Sequence, residues 1–135
     1  MGKRDALLWN YESVELFLAR GKESAQFIVA PDNCLLDAFN APGNLKGASF
    51  KWNCPDIRWS TLRKDKNCWE GSLTIPLDQI RFSEAGKKGE YRFNAYRDCR
   101  YVLADGTNKW EQSCYLPTFG SFLSIDRFGT LTLGK

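Results

Sequence analysis

The carboxylates Glu12, Glu15, Glu70, Glu90, Glu111, Asp37, Asp98 and Asp126 are the side chains here best suited to moving protons. Two of them facing each other across a sugar could cleave a glycosidic bond, one as acid and the other as base or nucleophile. No spacing in the sequence singles out such a pair, and dispersed carboxylates also serve as ordinary solubilising charges. Histidine is absent, so neither a Ser-His-Asp nor a Cys-His nucleophile can be assembled. No glycine-rich segment has the pattern of a phosphate-cradling loop. The chain is therefore read as a non-catalytic protein.

The thiols Cys34, Cys54, Cys68, Cys99 and Cys114 contain no CxxC pair, and the single methionine is Met1. Zinc and haem sites lose their usual ligands. Cys99 and Cys114 lie almost symmetrically about the turn at 104–108, and Cys34 and Cys54 flank the turn at 41–44. Paired strands could join either couple in an oxidising compartment, and the alternative is a set of buried free thiols. Asp32, Asp37 and Asp105 do not have the spacing of a calcium loop.

Five Trp, five Tyr and nine Phe in 135 residues supply a bulky core, rings that stack on a ligand, or both. Nineteen basic against sixteen acidic residues leave a net charge of +3. The two signs are interleaved, without the basic patch that a nucleic-acid interface needs. No segment has the length of a membrane span, and residues 1–13 have almost no apolar signal-peptide core.

The apolar pattern that must position these groups is short and of period two, with turn residues between runs. It predicts strands at 13–19, 25–30, 34–39, 49–54, 58–62, 68–75, 91–103 and 128–133, with a single helical turn at 76–80. Glu15 falls on the opposite side of its strand from Val14 and Leu16 and is expected to face outward. Trp59, Trp69 and Trp110 sit inside apolar runs and are expected in the core. Such a density of strands without a long helix points to an all-β fold, an antiparallel β-sandwich of jelly-roll or immunoglobulin-like two-sheet type, in one domain over residues 1–135.

Four segments, in order, carry a resemblance: LLWNYESVELFL at 7–18, WEGSLTIPLDQI at 69–80, GEYRFNAYR at 89–97 and DRFGTLTL at 126–133. Together they resemble the family 9 carbohydrate-binding modules and related DOMON-like sandwiches. The resemblance implies a secreted or cell-surface, glycoside hydrolase-associated module that binds terminal sugar units of a polysaccharide or oligosaccharide. It implies an aromatic clamp formed by Trp9 and Phe122. Glu15 would accept hydroxyl protons, and Asn94 and Tyr96 would stand on the ligand-contacting strand. A structural or interaction sandwich that has lost the site is the alternative.

The sequence departs from that pattern at three positions. The family's binding Arg would fall at Ile28, its usual Glu at Ser72, and Phe122 stands where Trp is commoner. Arg92 shares a strand face with Asn94 and Tyr96 and is the candidate replacement cation. Calcium is expected from the resemblance alone. The strands that precede the Trp-led segment in the family have no counterpart here. A second copy of the chain or a neighbouring domain is therefore the expected cover for an open sheet edge.

Overall fold

The computed structural model describes Arg4, Asp5, Leu8 and residues 12–42 and 50–134; Trp9, the first clamp aromatic implied by the resemblance, lies outside them. Among the described residues the fold is all-β, with two antiparallel sheets. β1 (Ser13–Arg20), β2 (Glu23–Ala30) and β3 (Cys34–Asn40) form a meander. β4 (Arg58–Arg63) and β5 (Trp69–Thr74) form a separate hairpin. β6 (Glu90–Val102) runs beside β1, and β7 (Asn108–Cys114) and β8 (Gly129–Thr132) both pair with its other edge. The large sheet thus has the order β3-β2-β1-β6-β7, with β8 also on β6. No α-helix occurs among the described residues; the turn expected at 76–80 is the 3₁₀ turn Leu77–Gln79.

Alternation sorts the large sheet into two faces. Val14, Leu16 and Leu18 of β1 share a face with Phe27 and Val29 of β2 and with Tyr91 and Phe93 of β6. That face packs on Trp59, Trp69 and Leu73 of the β4–β5 hairpin, which gives the sandwich its core. Phe17, Ile28, Leu36 and Tyr96 point the other way and are buried as well. Leu8 covers β2 and β3 there, while Phe122, Ile125 and Phe128 from the chain after β7 cover β1 and β6. The central strands are buried on both faces, so Glu15 does not face solvent as alternation alone suggested.

Local chemistry fixes the connections. Gly21 (φ +56°) opens the two-residue β1–β2 turn with the left-handed backbone that such hairpins require. Asn33 (φ +57°) ends the β2–β3 turn and clips it to the hairpin. Its N–H donates to Thr61 Oγ1 (2.7 Å), Thr61 N–H donates to Asn33 Oδ1 (3.0 Å), and Trp59 Nε1 donates to the Asn33 carbonyl (3.1 Å).

The strand expected at 49–54 does not form. Residues 50–54 are turn and irregular chain. Trp52 packs on Phe27 and Phe39, and the buried Cys54 N–H donates to Asp37 Oδ2 instead of to a neighbouring strand. Arg4 forks onto the same Asp37 through Nε (3.1 Å) and Nη2 (2.7 Å) and also reaches the Cys54 carbonyl (3.0 Å).

All five cysteines are free. Cys99 stands opposite Glu111, and Cys114 stands opposite Tyr96, so the two thiols fall on opposite faces of the β6–β7 ladder and cannot bridge. Burial and the charge of Asp37 push the Cys54 thiol up to about 11, which leaves it protonated and unreactive at neutral pH.

Candidate functional site

Glu15, Asn94, Tyr96 and Phe122 do converge, on the face of the large sheet away from the hairpin. Glu15 stands directly opposite Tyr96 in the β1–β6 register. Phe122 lies flat on Tyr96, with ring centroids 3.9 Å apart and planes 15° apart. Phe17 meets the same tyrosine edge-on at 5.6 Å. The Tyr96 hydroxyl donates to Thr118 Oγ1 (3.2 Å) and accepts from Asn94 Nδ2 (3.0 Å). Burial raises its pKa above the ordinary phenol value, against the opposing pull of those two bonds.

Asn94 acts as a strand extension made from a side chain. Its Oδ1 accepts from Leu116 N–H (3.0 Å) and its Nδ2 donates to the Leu116 carbonyl (2.9 Å). It thereby holds the chain leaving β7 against the sheet, which explains a fully buried amide inside a strand. Arg92 is on the same face but four residues along β6 from Tyr96, opposite Ala19, and donates to the Asp126 carbonyl (3.1 Å). It does not stand beside Glu15.

Glu15 is 2 % exposed. Ile28, at the position where the resemblance implies an arginine, lies directly across from it and is fully buried. The polar partner comes instead from Gln26, whose Nε2 donates to Glu15 Oε2 (3.0 Å). Asp98, also buried, receives Gln112 Nε2 on Oδ1 (2.7 Å). Its Oδ2 has no donor of its own. Glu15 is within hydrogen-bonding reach of Asp98, and burial, that bond and the Asp98 charge together push the Glu15 carboxyl up to about 7. A proton on Glu15 would let its carboxyl donate to Asp98. Glu15 and Asp98 are thus neighbouring buried acids.

An open site lies on the other face, between the sheet and the hairpin. It is a cleft of about 500 Å³ lined by Val14, Leu16 and Val29 below, by Trp69, Gly71, Ser72 and Leu73 on the hairpin side, and by Glu12, Asn67, Cys68 and Arg97. Trp69 Nε1 donates to Glu12 Oε1 (3.1 Å), and Arg97 Nη2 lies 3.8 Å from the same oxygen. An indole, a carboxylate and a guanidinium therefore meet above an apolar floor. Gly71 keeps the space open, because a Cβ there would stand 3.3 Å from the Trp69 ring.

Val14, Leu16 and the Trp69 strand were legible, but Glu12 and Arg97 flank their strand neighbours without any local motif. Ser72, where the resemblance implies a Glu, lines the cleft. Trp110, expected in the core, is instead 54 % exposed on β7, with Arg100 over its ring at 5.1 Å.

Among the described residues no three His, Cys, Asp or Glu side chains gather as a metal site would require. Asp37 is engaged by Arg4, and Asp105 Oδ1 accepts the Thr107 N–H (2.8 Å) in the β6–β7 turn. These acids do not fit the calcium implied by the resemblance. No family model, no curated protein and no solved structure matches the chain. The likeness to family 9 carbohydrate-binding modules rests on its four segments alone.

Proposed function

We propose that the chain is a non-catalytic carbohydrate-binding module that takes a sugar unit in the cleft between the large sheet and the β4–β5 hairpin. The observation that carries this reading is the meeting of Trp69, Glu12 and Arg97 at one concave surface. A pyranose has an apolar CH face that packs on an indole and hydroxyls that need charged partners. Glu12 is already oriented by Trp69 and Arg97, so little ordering remains to oppose binding. An extracellular or cell-surface setting and association with a polysaccharide-degrading enzyme belong to the same proposal.

The test is calorimetric titration of the folded chain with a panel of soluble plant-type oligosaccharides. At least one sugar is expected to bind, and Glu12→Ala and Arg97→Ala are each expected to weaken it about tenfold or more, the equivalent of about 1.4 kcal/mol. Gly71→Val, which fills the cleft, should abolish binding while circular dichroism stays native. Silence across the panel, or binding indifferent to these three changes, overturns the proposal.

A structural or interaction sandwich without a sugar site is favoured by a different observation. On the sheet face that the resemblance assigns to the ligand, Phe122 is stacked on Tyr96, and Glu15, Asn94 and Tyr96 are all buried. On that reading the panel is silent and the outer edge of β7 is the working surface.

A further inference from the structure

The β6–β7 ribbon extends past the rest of the sheet, and β7 is exposed along its whole length. Among the described residues no strand pairs with its outer edge. Hydrogen bonds from Tyr115 N–H to the Ala95 carbonyl (2.8 Å) and from Leu103 N–H to the Thr107 carbonyl (2.8 Å) fix the phase of the ladder. Lys109, Glu111 and Ser113 therefore turn their backbone groups inward to β6, while Asn108, Trp110 and Gln112 present theirs outward. An edge of this kind recruits another strand unless something repels it, and a lone edge lysine is a common repellent. Here the lysine has a counterpart two residues away.

We infer that β7 pairs antiparallel with β7 of a second copy, about a two-fold axis through Trp110. An isologous edge contact must bring each residue opposite its own mirror position. Centring the axis on Trp110 sets Lys109 opposite the other copy's Glu111, and Glu111 opposite its Lys109, on one face of the joined sheet. On the other face the two indoles meet on the axis, and Asn108 stands opposite Gln112. The outward-facing backbone groups of Asn108, Trp110 and Gln112 are all satisfied in that register. Moving the axis to Lys109 or to Glu111 places like charges face to face, which is unfavourable in a cross-strand pair. Charge complementarity thus selects one register and one occupant. Arg100, over the Trp110 ring at 5.1 Å, steadies the indole for the contact. The two sheets become one continuous sheet, and the large exposed ring is covered.

Analytical ultracentrifugation of the full chain across micromolar to millimolar concentration tests this. A reversible monomer–dimer equilibrium is expected. Lys109→Glu should shift dissociation to at least about tenfold higher concentration, since it places acid against acid. The exchange Lys109→Glu with Glu111→Lys should return it to near the original value, although it loses the Tyr101–Glu111 hydrogen bond (2.6 Å). Trp110→Ala should weaken the dimer in either charge background. These side chains are exposed, so a native circular dichroism spectrum is expected throughout. A chain that stays monomeric at millimolar concentration overturns the inference. So does a dimer that ignores Lys109→Glu, or one that the charge exchange fails to restore.

Discussion

Phe122 rests on Tyr96 as one leaf on another, 3.9 Å between ring centroids. The contact covers one face of each ring. On that sheet face Glu15, Asn94 and Tyr96 are all buried, and Tyr96 and Phe122 line a cavity of about 220 Å³. It is a packing contact first.

Phe122→Ala should therefore lower stability, by about 2–3 kcal/mol, less than full core truncation because the ring is only partly buried. Urea unfolding measures it. An unchanged midpoint would mean that the ring is held for a ligand and not for the fold.

The Glu15–Asp98 pair makes stability depend on pH. The Glu15 carboxyl is raised from 4.5 to about 7, so the folded state holds its proton more tightly than the unfolded state. Its contribution is complete below about 4.5 and is lost as pH rises through about 7, on the order of 3 kcal/mol. In Glu15→Gln the amide can donate to Asp98 and accept from Gln26 at every pH. The variant should match the parent near pH 5 and exceed it above pH 8. Parallel stability curves across that range would show that the two acids do not share a proton.

Asn33 tests how the hairpin is held over the sheet. Asn33→Gly keeps the left-handed backbone but leaves Thr61 N–H without its acceptor, a loss of about 1–2 kcal/mol. Asn33→Ala adds the strain of a Cβ at φ +57°, about 1 kcal/mol more. Thermal denaturation should rank parent above glycine above alanine. If alanine equals glycine, the turn relaxes out of its left-handed conformation.

Asp37 is fully buried and takes donors from Arg4 and from the Cys54 backbone. Asp37→Ala leaves those donors unmatched and should cost about 3–5 kcal/mol. Asp37→Asn keeps an acceptor and should cost less. Equal losses in chemical denaturation would show that the volume of the side chain, and not its oxygens, matters at that position.

Short apolar runs of period two were legible in the sequence, and β1 to β6 and β8 lie close to where alternation predicts them. β7 (NKWEQSC) was not legible as a strand. Both its faces are exposed, so it carries no alternation, and only its backbone bonds to β6 define it. The segment at 49–54 shows the reverse failure, since apolar residues at strand spacing are held there by Asp37 and by aromatic packing. Glu15 could be assigned to its face but not to its burial. That face of the sheet is covered over Phe17 and Tyr96 by Phe122, Ile125 and Phe128, more than a hundred residues downstream in sequence. The cleft group fails for a related reason: Glu12 and Arg97 meet only through the β1–β6 register.

The same register, joining Ser13 to Asp98, sets a timetable for the chain as it is made. The β1–β2–β3 meander can form as soon as it leaves the ribosome, yet its inner edge at β1 stays bare until β6 has been synthesised. Pairings between residues so far apart are slow to close, and a waiting edge recruits foreign strands meanwhile. During synthesis the edge of β1 is therefore exposed from the time the meander forms until β6 arrives to cover it.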